Sequence, residues 1–278
     1  MTNWMGEGRT AVITGAAGGI GLEAARRFAI AGMNVVLADV KQEELAEAEQ
    51  SLKATGTDVL AIMCDVSDYA QVQKLHDEVH DRFGQVHCLM NNAGIARPGS
   101  KPWDNLDAFN QMIGINLMGV VHGCHAFIPS MLAHGEPGAV INTSSKQGIT
   151  RPPGNHAYNL SKTGVLAYTE SIALAFRNEE TCRLSAHLLI PGFVYTPMIS
   201  TFIPEKPPFA ATAEETVDFM MDALAKDDFY ILCPDNETPR ELDEKRIQWT
   251  ADDIIQNRPA LSRWHPDYSE SFKAFIDR

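Results

Sequence analysis

Residues 14–21 read Thr14-Gly15-Ala16-Ala17-Gly18-Gly19-Ile20-Gly21, a glycine-rich turn set between a β-rich run at 10–14 and an amphipathic segment at 20–31. Glycines at such a junction let the backbone turn sharply and come close to a phosphate, whose charge then rests on the helix N-terminus. A glycine cluster alone is often no more than a turn. The strand-turn-helix setting is what gives this one weight. Gly15, Gly19, Ile20 and Gly21 are therefore candidate pyrophosphate-binding positions.

Outward from this turn the alternation continues. Strands are predicted at 34–38, 58–63, 86–90, 139–143 and 184–190, and helices at 41–54, 68–83, 105–133 and 156–177. Strands separated by helices need crossover connections, so the expected fold is α/β: a doubly wound, mainly parallel sheet of about seven strands flanked by helices, in a single domain. After Pro191 the pattern loosens. Residues 197–213 read as a mobile substrate loop, 214–225 as a helix and 229–233 as a last strand. The division expected is a dinucleotide-binding catalytic domain at 1–239 and a tail at 240–278 that packs on the same domain or on a partner subunit. The tail holds Trp249, Trp264, His265, Tyr268, Phe272 and Phe275, too aromatic for a disordered segment, and is expected to meet the 197–213 loop and cover the substrate entrance.

Asp39 ends the second predicted strand, 24 residues after Gly15. A carboxylate there can accept both hydroxyls of an adenosine ribose and repels a 2′-phosphate. Val40 follows it and the turn holds no arginine, so Lys41 is the one nearby cation that could blur the preference. The cofactor implied is NAD.

Tyr158 and Lys162 are four residues apart near the start of a helix and so share a face. A lysine ammonium beside a tyrosine, whose ordinary pKa is near ~10, favours the phenolate and brings the group into the range of acid–base catalysis. Tyr-x-x-x-Lys by itself is usually a surface pair. Ser145 changes its meaning, because it closes the fifth strand thirteen residues before Tyr158, where strand ends border the ligand crevice of a parallel sheet.

Together these segments resemble the short-chain dehydrogenase/reductase family over residues 9–196. The matching pieces are residues 14–21, Asp65-Val66, Asn91-Asn92-Ala93-Gly94, Asn116 within Gly114-Ile115-Asn116-Leu117, Ser145, Tyr158 with Lys162, and Pro191-Gly192. The resemblance implies a Rossmann-type NAD-dependent alcohol dehydrogenase or ketone reductase. It implies that Tyr158 is the general acid in reduction and base in oxidation, that Lys162 lowers the tyrosine pKa and binds the nicotinamide ribose, and that Ser145 orients the substrate oxygen. It further implies that Asn116 kinks its helix and holds a water in a proton relay, that Asp65 and Val66 contact the adenine, and that Asn92, with Ala93 and Gly94, stands near the cofactor. Pro191, Gly192, Val194 and Thr196 would border the nicotinamide, the last two holding its carboxamide.

The substrate wall is expected to include Ser145, Gln147, Ile149, His156, Phe193, Met198 and Phe202, a largely apolar set that suits a hydrophobic or aromatic secondary alcohol. Lys146 departs from the family pattern and would add a cation near the entrance. His76 and His80 have a metal-protease spacing, but Asp77 follows His76 where that motif has Glu, and no metal is expected. The five cysteines are odd in number and widely spaced, as reduced core thiols of a cytoplasmic protein would be. No apolar run approaches the ~20 residues of a membrane span, and residues 1–9 lack the pattern of a signal peptide. A formal charge of −13 disfavours nucleic acid and anionic membranes as partners. The partners expected are a small-molecule substrate and further copies of the chain, as a dimer or tetramer through the 105–133 and 156–177 helices. A catalytically silent NAD-binding sensor is the alternative from another class. It need not have kept Asn116, Ser145, Tyr158 and Lys162 together.

Overall fold

The computed structural model describes residues 4–97, 99, 101–235 and 238–277, so Met1–Asn3, Pro98, Ser100, Asn236, Glu237 and Arg278 of the two expected divisions lie outside the described residues. Seven parallel strands form the sheet: β1 Thr10–Thr14, β2 Asn34–Asp39, β3 Val59–Met63, β4 Cys88–Asn91, β5 Gly138–Thr143, β6 Leu184–Ile190 and β7 Tyr230–Leu232. Their order is β3-β2-β1-β4-β5-β6-β7, all pairs parallel. The chain winds one way from β1 to β3 and then the other way from β4, so a crevice opens above the C-terminal ends of β1 and β4.

Because both faces of the sheet are covered, the strands are mainly apolar on both faces instead of alternating. Ala11 and Ile13 of β1 and Val35 and Leu37 of β2 belong to one core, which packs α1 (Gly19–Ile30), α2 (Gln42–Lys53) and, further along, Ala213–Ala225. Val12, Val36 and Ala38 face the other core, with α3 (Tyr69–Phe83) and the helices at 119–133 and 156–178. The large side chains at its centre, Phe127, Leu89 and Leu188 among them, are almost wholly excluded from solvent, and each such burial stabilises the fold by roughly 2–3 kcal/mol.

The long predicted helix is three pieces: α4 (Leu106–Ile113), a π-helical turn (Gly114–Met118) and α5 (Gly119–Ala133). Leu106–Ala133 is long and apolar enough, by length and composition, to cross a membrane, although no single apolar run had that length. In the fold it packs against α3 and β4. The segment after β5 forms a short helix that the sequence did not announce, α6 (Lys146–Thr150), followed by α7 (His156–Asn178).

Residues 197–213 are more structured than a mobile loop. They open with α8 (Pro197–Ser200), Ala211 bridges Val194, and the segment runs into α9 (Ala213–Ala225), which starts at Ala213 because Thr212 and Glu215 form a reciprocal capping box. The tail is helical, with α10 (Arg240–Ile255) and α11 (Ser269–Ile276) closing on Trp249, whose ring meets those of Phe272 and Phe275 edge-on. α10 packs against α6, so the tail borders the segment after Ser145.

The lower end of the sheet carries a pH-sensitive element. His87 is 3% exposed and accepts the Thr10 N–H through Nδ1 at 3.1 Å. Burial, helped by the charge of Arg9, pushes its pKa down from 6.5 to about 4. The unfolded chain therefore binds the proton that the native state refuses. The stability this contributes is complete above pH ~6.5 and is lost as pH falls through about 4. Acid unfolding between those limits should cost the parent protein more than a His87→Asn variant, by about 3 kcal/mol. Asn retains an acceptor for Thr10 without a titrating ring. Denaturant melts at pH 7 and 4 measure the difference, and equal acid losses would refute it.

Candidate active site

The turn at 14–21 lies in the crevice between β1 and β4. Gly15 has φ +66°, and a β-carbon there would stand 2.7 Å from the Ala93 backbone. One at Gly21 would reach 2.2 Å from the Gly15 carbonyl oxygen. A side chain is thus excluded from Gly15 by conformation and by contact, and from Gly21 by contact. Gly19 faces Thr196, and Gly18 faces Pro197, which brings the start of the 197–213 segment against the turn. The N-terminus of α1 has no side-chain cap, so its first amides remain for an external anion.

Asp39 sits at the end of β2 beside this turn. Its Oδ2 accepts the Ala17 N–H at 3.0 Å, and its Oδ1 accepts from Val40 and Lys41 at 2.8 and 3.2 Å. The carboxylate is held in place by amides, with lone pairs left over for hydroxyl donors. Lys41 turns to Glu44, 3.7 Å away, instead of to Asp39. Asp65 is engaged locally, accepting from the Ser67 amide and hydroxyl, while Val66 is buried against Gly119.

Thr14, not singled out from the sequence, joins β1 to the segment after β4. Its hydroxyl accepts from the amides of Asn92 and Ala93 at 3.0 and 3.1 Å, and Asn92 Nδ2 donates back to the carbonyls of Thr14 and Gly15. Gly94 then stands beside two other expected residues. A β-carbon on it would lie 3.4 Å from Asn116 Oδ1 and 3.6 Å from Lys162 Nζ. Asn116 occupies the π turn, fully buried, accepting from the Ile95 amide at 2.8 Å and donating to the Ile95 carbonyl at 2.9 Å. This pairing accounts for the break in the helix, because it ties one turn to a neighbouring loop.

Ser145, buried, ends the strand segment after β5 and caps α6, its hydroxyl accepting from the Gln147 amide at 3.1 Å. Burial raises the Tyr158 pKa, and the nearby Ser145 hydroxyl opposes the rise. The Lys162 ammonium lies 5.7 Å from the Tyr158 ring centroid and donates to the Thr143 carbonyl at 2.8 Å. Burial also pushes Lys162 down to about 8.

The expected substrate wall is only partly assembled around these groups. Gln147 lies on α6, with Oε1 buried and lacking a hydrogen-bond partner among the described residues. Ile149 packs into the core on the α7 side. His156, two residues before Tyr158, points away from it, as helix geometry demands. Its ring stacks on Phe109 at 6.0 Å, in a cleft also lined by Arg97, Asp104 and Met112. Phe193 meets Phe209 edge-on, and Phe202, beyond Met198 and α8, is half exposed. Lys146 is not at the entrance, because its ammonium is paired with Asp235 and Asp243. His76 and His80 stack on one another, and His76 Nε2 lies 3.2 Å from Ser130 Oγ. All five cysteines are unpaired.

These observations fit a dinucleotide. The uncapped start of α1 suits a pyrophosphate, the anchored Asp39 carboxylate suits ribose hydroxyls, and the lack of a side chain at Gly94 leaves room beside Lys162. The profile of the short chain dehydrogenase family matches residues 9–206. The 1-deoxy-11-beta-hydroxypentalenate dehydrogenase of Streptomyces avermitilis is 35% identical over 86% of this chain and 90% of its own length. A 2,5-dichloro-2,5-cyclohexadiene-1,4-diol dehydrogenase of Sphingobium indicum is 31% identical over 71% of this chain and 78% of its own. Among solved structures, a short chain dehydrogenase/reductase from Burkholderia phymatum in complex with NAD superposes with a TM-score of 0.84 at 31% identity, covering 93% of this chain and 98% of that one.

Proposed function

This chain belongs to the short-chain dehydrogenase/reductase family, and on that premise we propose that Tyr158, Ser145, Lys162 and Asn116 carry its chemistry. The reaction is NAD-linked oxidoreduction between an alcohol and its ketone. NAD, when bound, accepts or supplies the hydride. Gly15, Gly19, Ile20 and Gly21 with the start of α1 hold the pyrophosphate, Asp39 the adenosine ribose, and Asp65 and Val66 the adenine. Asn92, Ala93 and Gly94 line the middle of the cofactor, and Pro191, Gly192, Val194 and Thr196 its nicotinamide end.

The observation that carries the assignment is the placement of Tyr158 beside Ser145 at the C-terminal edge of β5, with the Lys162 ammonium 5.7 Å from the tyrosine ring. Two hydroxyls converging there can both bond one substrate oxygen, stabilising the negative charge that develops on it. With its pKa raised, Tyr158 is protonated at neutral pH. It can therefore donate at once in the reduction direction, whereas oxidation requires the phenol to give up its proton first. Lys162 binds the nicotinamide ribose hydroxyls, and Asn116, buried beside it, extends the polar path away from Tyr158.

The substrate we assign is a hydrophobic secondary alcohol, cyclic for preference, or its ketone. Phe193, Met198, Phe202 and Ile149 supply apolar surface, Gln147 a polar handle and Ser145 the contact to the reacting oxygen, while two relatives are named for a hydroxypentalenate and a cyclohexadiene diol. A panel of cyclic, aromatic and linear secondary alcohols with matched ketones, followed by NADH absorbance, tests this. Turnover confined to linear or phosphorylated alcohols would overturn it.

We assign a cytoplasmic homo-oligomer, in keeping with five unpaired thiols. Leu160 and Leu174 of α7, and Met118 and Leu132 of the neighbouring helix, are exposed. A second copy burying the two helices would cover them. Sedimentation should give a dimer or tetramer at micromolar concentration, and a monomer near 30.6 kDa would refute the assignment.

A further inference from the structure

The residue after Ser145 turns its side chain away from the site and into the tail. Lys146 Nζ lies 3.0 Å from Asp235 Oδ2, just beyond β7, and 2.5 Å from Asp243 Oδ2, in the first turn of α10. Arg246 completes the group, 3.5 Å from Asp243 Oδ1 and 3.2 Å from Thr238 Oγ1. Two cations and two carboxylates are in direct contact, with Arg263 within electrostatic reach of Arg246 and Asp243. The Lys146, Asp235 and Asp243 side chains are 12%, 15% and 4% exposed. Desolvating so many charges costs about as much as their attraction returns, so such a group is weak as a source of stability and strong as a means of fixing geometry.

What it fixes is α6. A five-residue helix cannot hold itself, and α6 is gripped from outside along its length. Lys146 N donates to the Pro191 carbonyl at 2.9 Å, Thr163 Oγ1 donates to the Gly148 carbonyl at 2.7 Å, and the tail's Trp264 Nε1 reaches the Thr150 carbonyl at 3.4 Å. Asp235 is itself seated against Gly192, where an added β-carbon would lie 2.5 Å from its Oδ2. One carboxylate thus adjoins both the Pro191-Gly192 segment and the ammonium next to Ser145.

We propose that the C-terminal tail is a positioning element for the reaction, aiming the Ser145 hydroxyl through the contacts of Asp243 and Asp235 with Lys146. Asp243 and Lys146 touch no reacting atom. They act by holding the first residue of α6, and with it the cap that orients the serine. A hydroxyl bonding a developing oxyanion must be held to within about half an ångström, which a short unsupported helix does not provide. The proposal rests on the reading of Ser145 given above.

The test is a double-mutant cycle between Asp243→Asn and Ser145→Ala, using the panel alcohol of highest turnover, with NADH binding read by fluorescence. Asp243→Asn leaves Lys146 paired with Asp235. It is expected to lower kcat by about tenfold with NADH affinity unchanged, and to cost less than about twofold once Ser145 is already Ala. If the loss is the same in both backgrounds, or absent in a folded Asp243→Asn protein, the coupling to Ser145 is wrong. If Ser145→Ala itself leaves kcat unchanged, the reading of Ser145 fails, and this proposal with it. Lys146→Met provides the second entry into the network and is judged by the same cycle, with Lys146→Arg expected to restore most of the loss. Insolubility of both Asp243→Asn and Lys146→Met would show a role in holding the fold and would overturn the proposal.

Discussion

Tyr158→Phe is expected to lower kcat by about 10³-fold while NADH binding stays within about twofold of the parent protein. Phe keeps the ring, which lies on the α7 face near Lys162 Nζ, 5.7 Å from its centroid, and removes one oxygen. That oxygen lies beside Ser145 and is the proposed proton carrier, so its loss should fall on the chemical step and leave cofactor binding intact. Ser145 remains to bond the substrate oxygen, and residual turnover would come from that bond and from proximity. Steady-state kinetics in both directions, with NADH titrated by fluorescence, measure the two effects separately. A variant retaining more than a tenth or so of parent turnover would remove Tyr158 from the acid–base role.

Asp39 should control cofactor choice, and two substitutions separate its two tasks. The parent protein is expected to prefer NAD over NADP by about 10²-fold or more in kcat/KM, because a 2′-phosphate would face a carboxylate with no guanidinium to offset it. Asp39→Asn removes the charge but keeps an oxygen for the Ala17 amide, now 3.0 Å from Oδ2. It should narrow the preference by about tenfold or more, chiefly by admitting NADP. Asp39→Ala should narrow it similarly but lower both efficiencies, since the turn at 14–21 loses its anchor on β2. Equal efficiency with NAD and NADP in the parent protein, or an unchanged ratio in Asp39→Asn, would sink the argument.

How much of this could be read in advance varied from one element to the next. The turn at 14–21, the Asn91–Gly94 run, and the pairing of Ser145 with Tyr158 and Lys162 were visible as spacings. The structure assembles them around Gly94 and the end of β5. His156 lies two residues from Tyr158 in sequence but stacks on Phe109 in the cleft with Arg97, Asp104 and Met112, because positions i and i+2 of a helix face apart. Residues 197–213 looked mobile because their composition is that of a loop. The Ala211–Val194 bridge and the Thr212–Glu215 box that order them depend on where β6 ends. Burial, which spacing cannot report, raises the tyrosine pKa.

By itself the sequence determined the requirements that act within a few residues. A turn that admits only glycine must carry glycine, a cap must carry an oxygen, and a strand covered on both faces must be apolar. These requirements specified the α/β alternation, the phosphate turn and the catalytic residue types. The tertiary structure alone decided which distant groups meet. Lys146 and Asp235 are 89 positions apart, and Thr14 and Asn92 are 78 apart. The same polar side chains would serve equally well on a solvated surface. Only the strand order, with the winding reversed between β1 and β4, brings each pair out of water, where a polar group without a partner is costly and its geometry becomes specific.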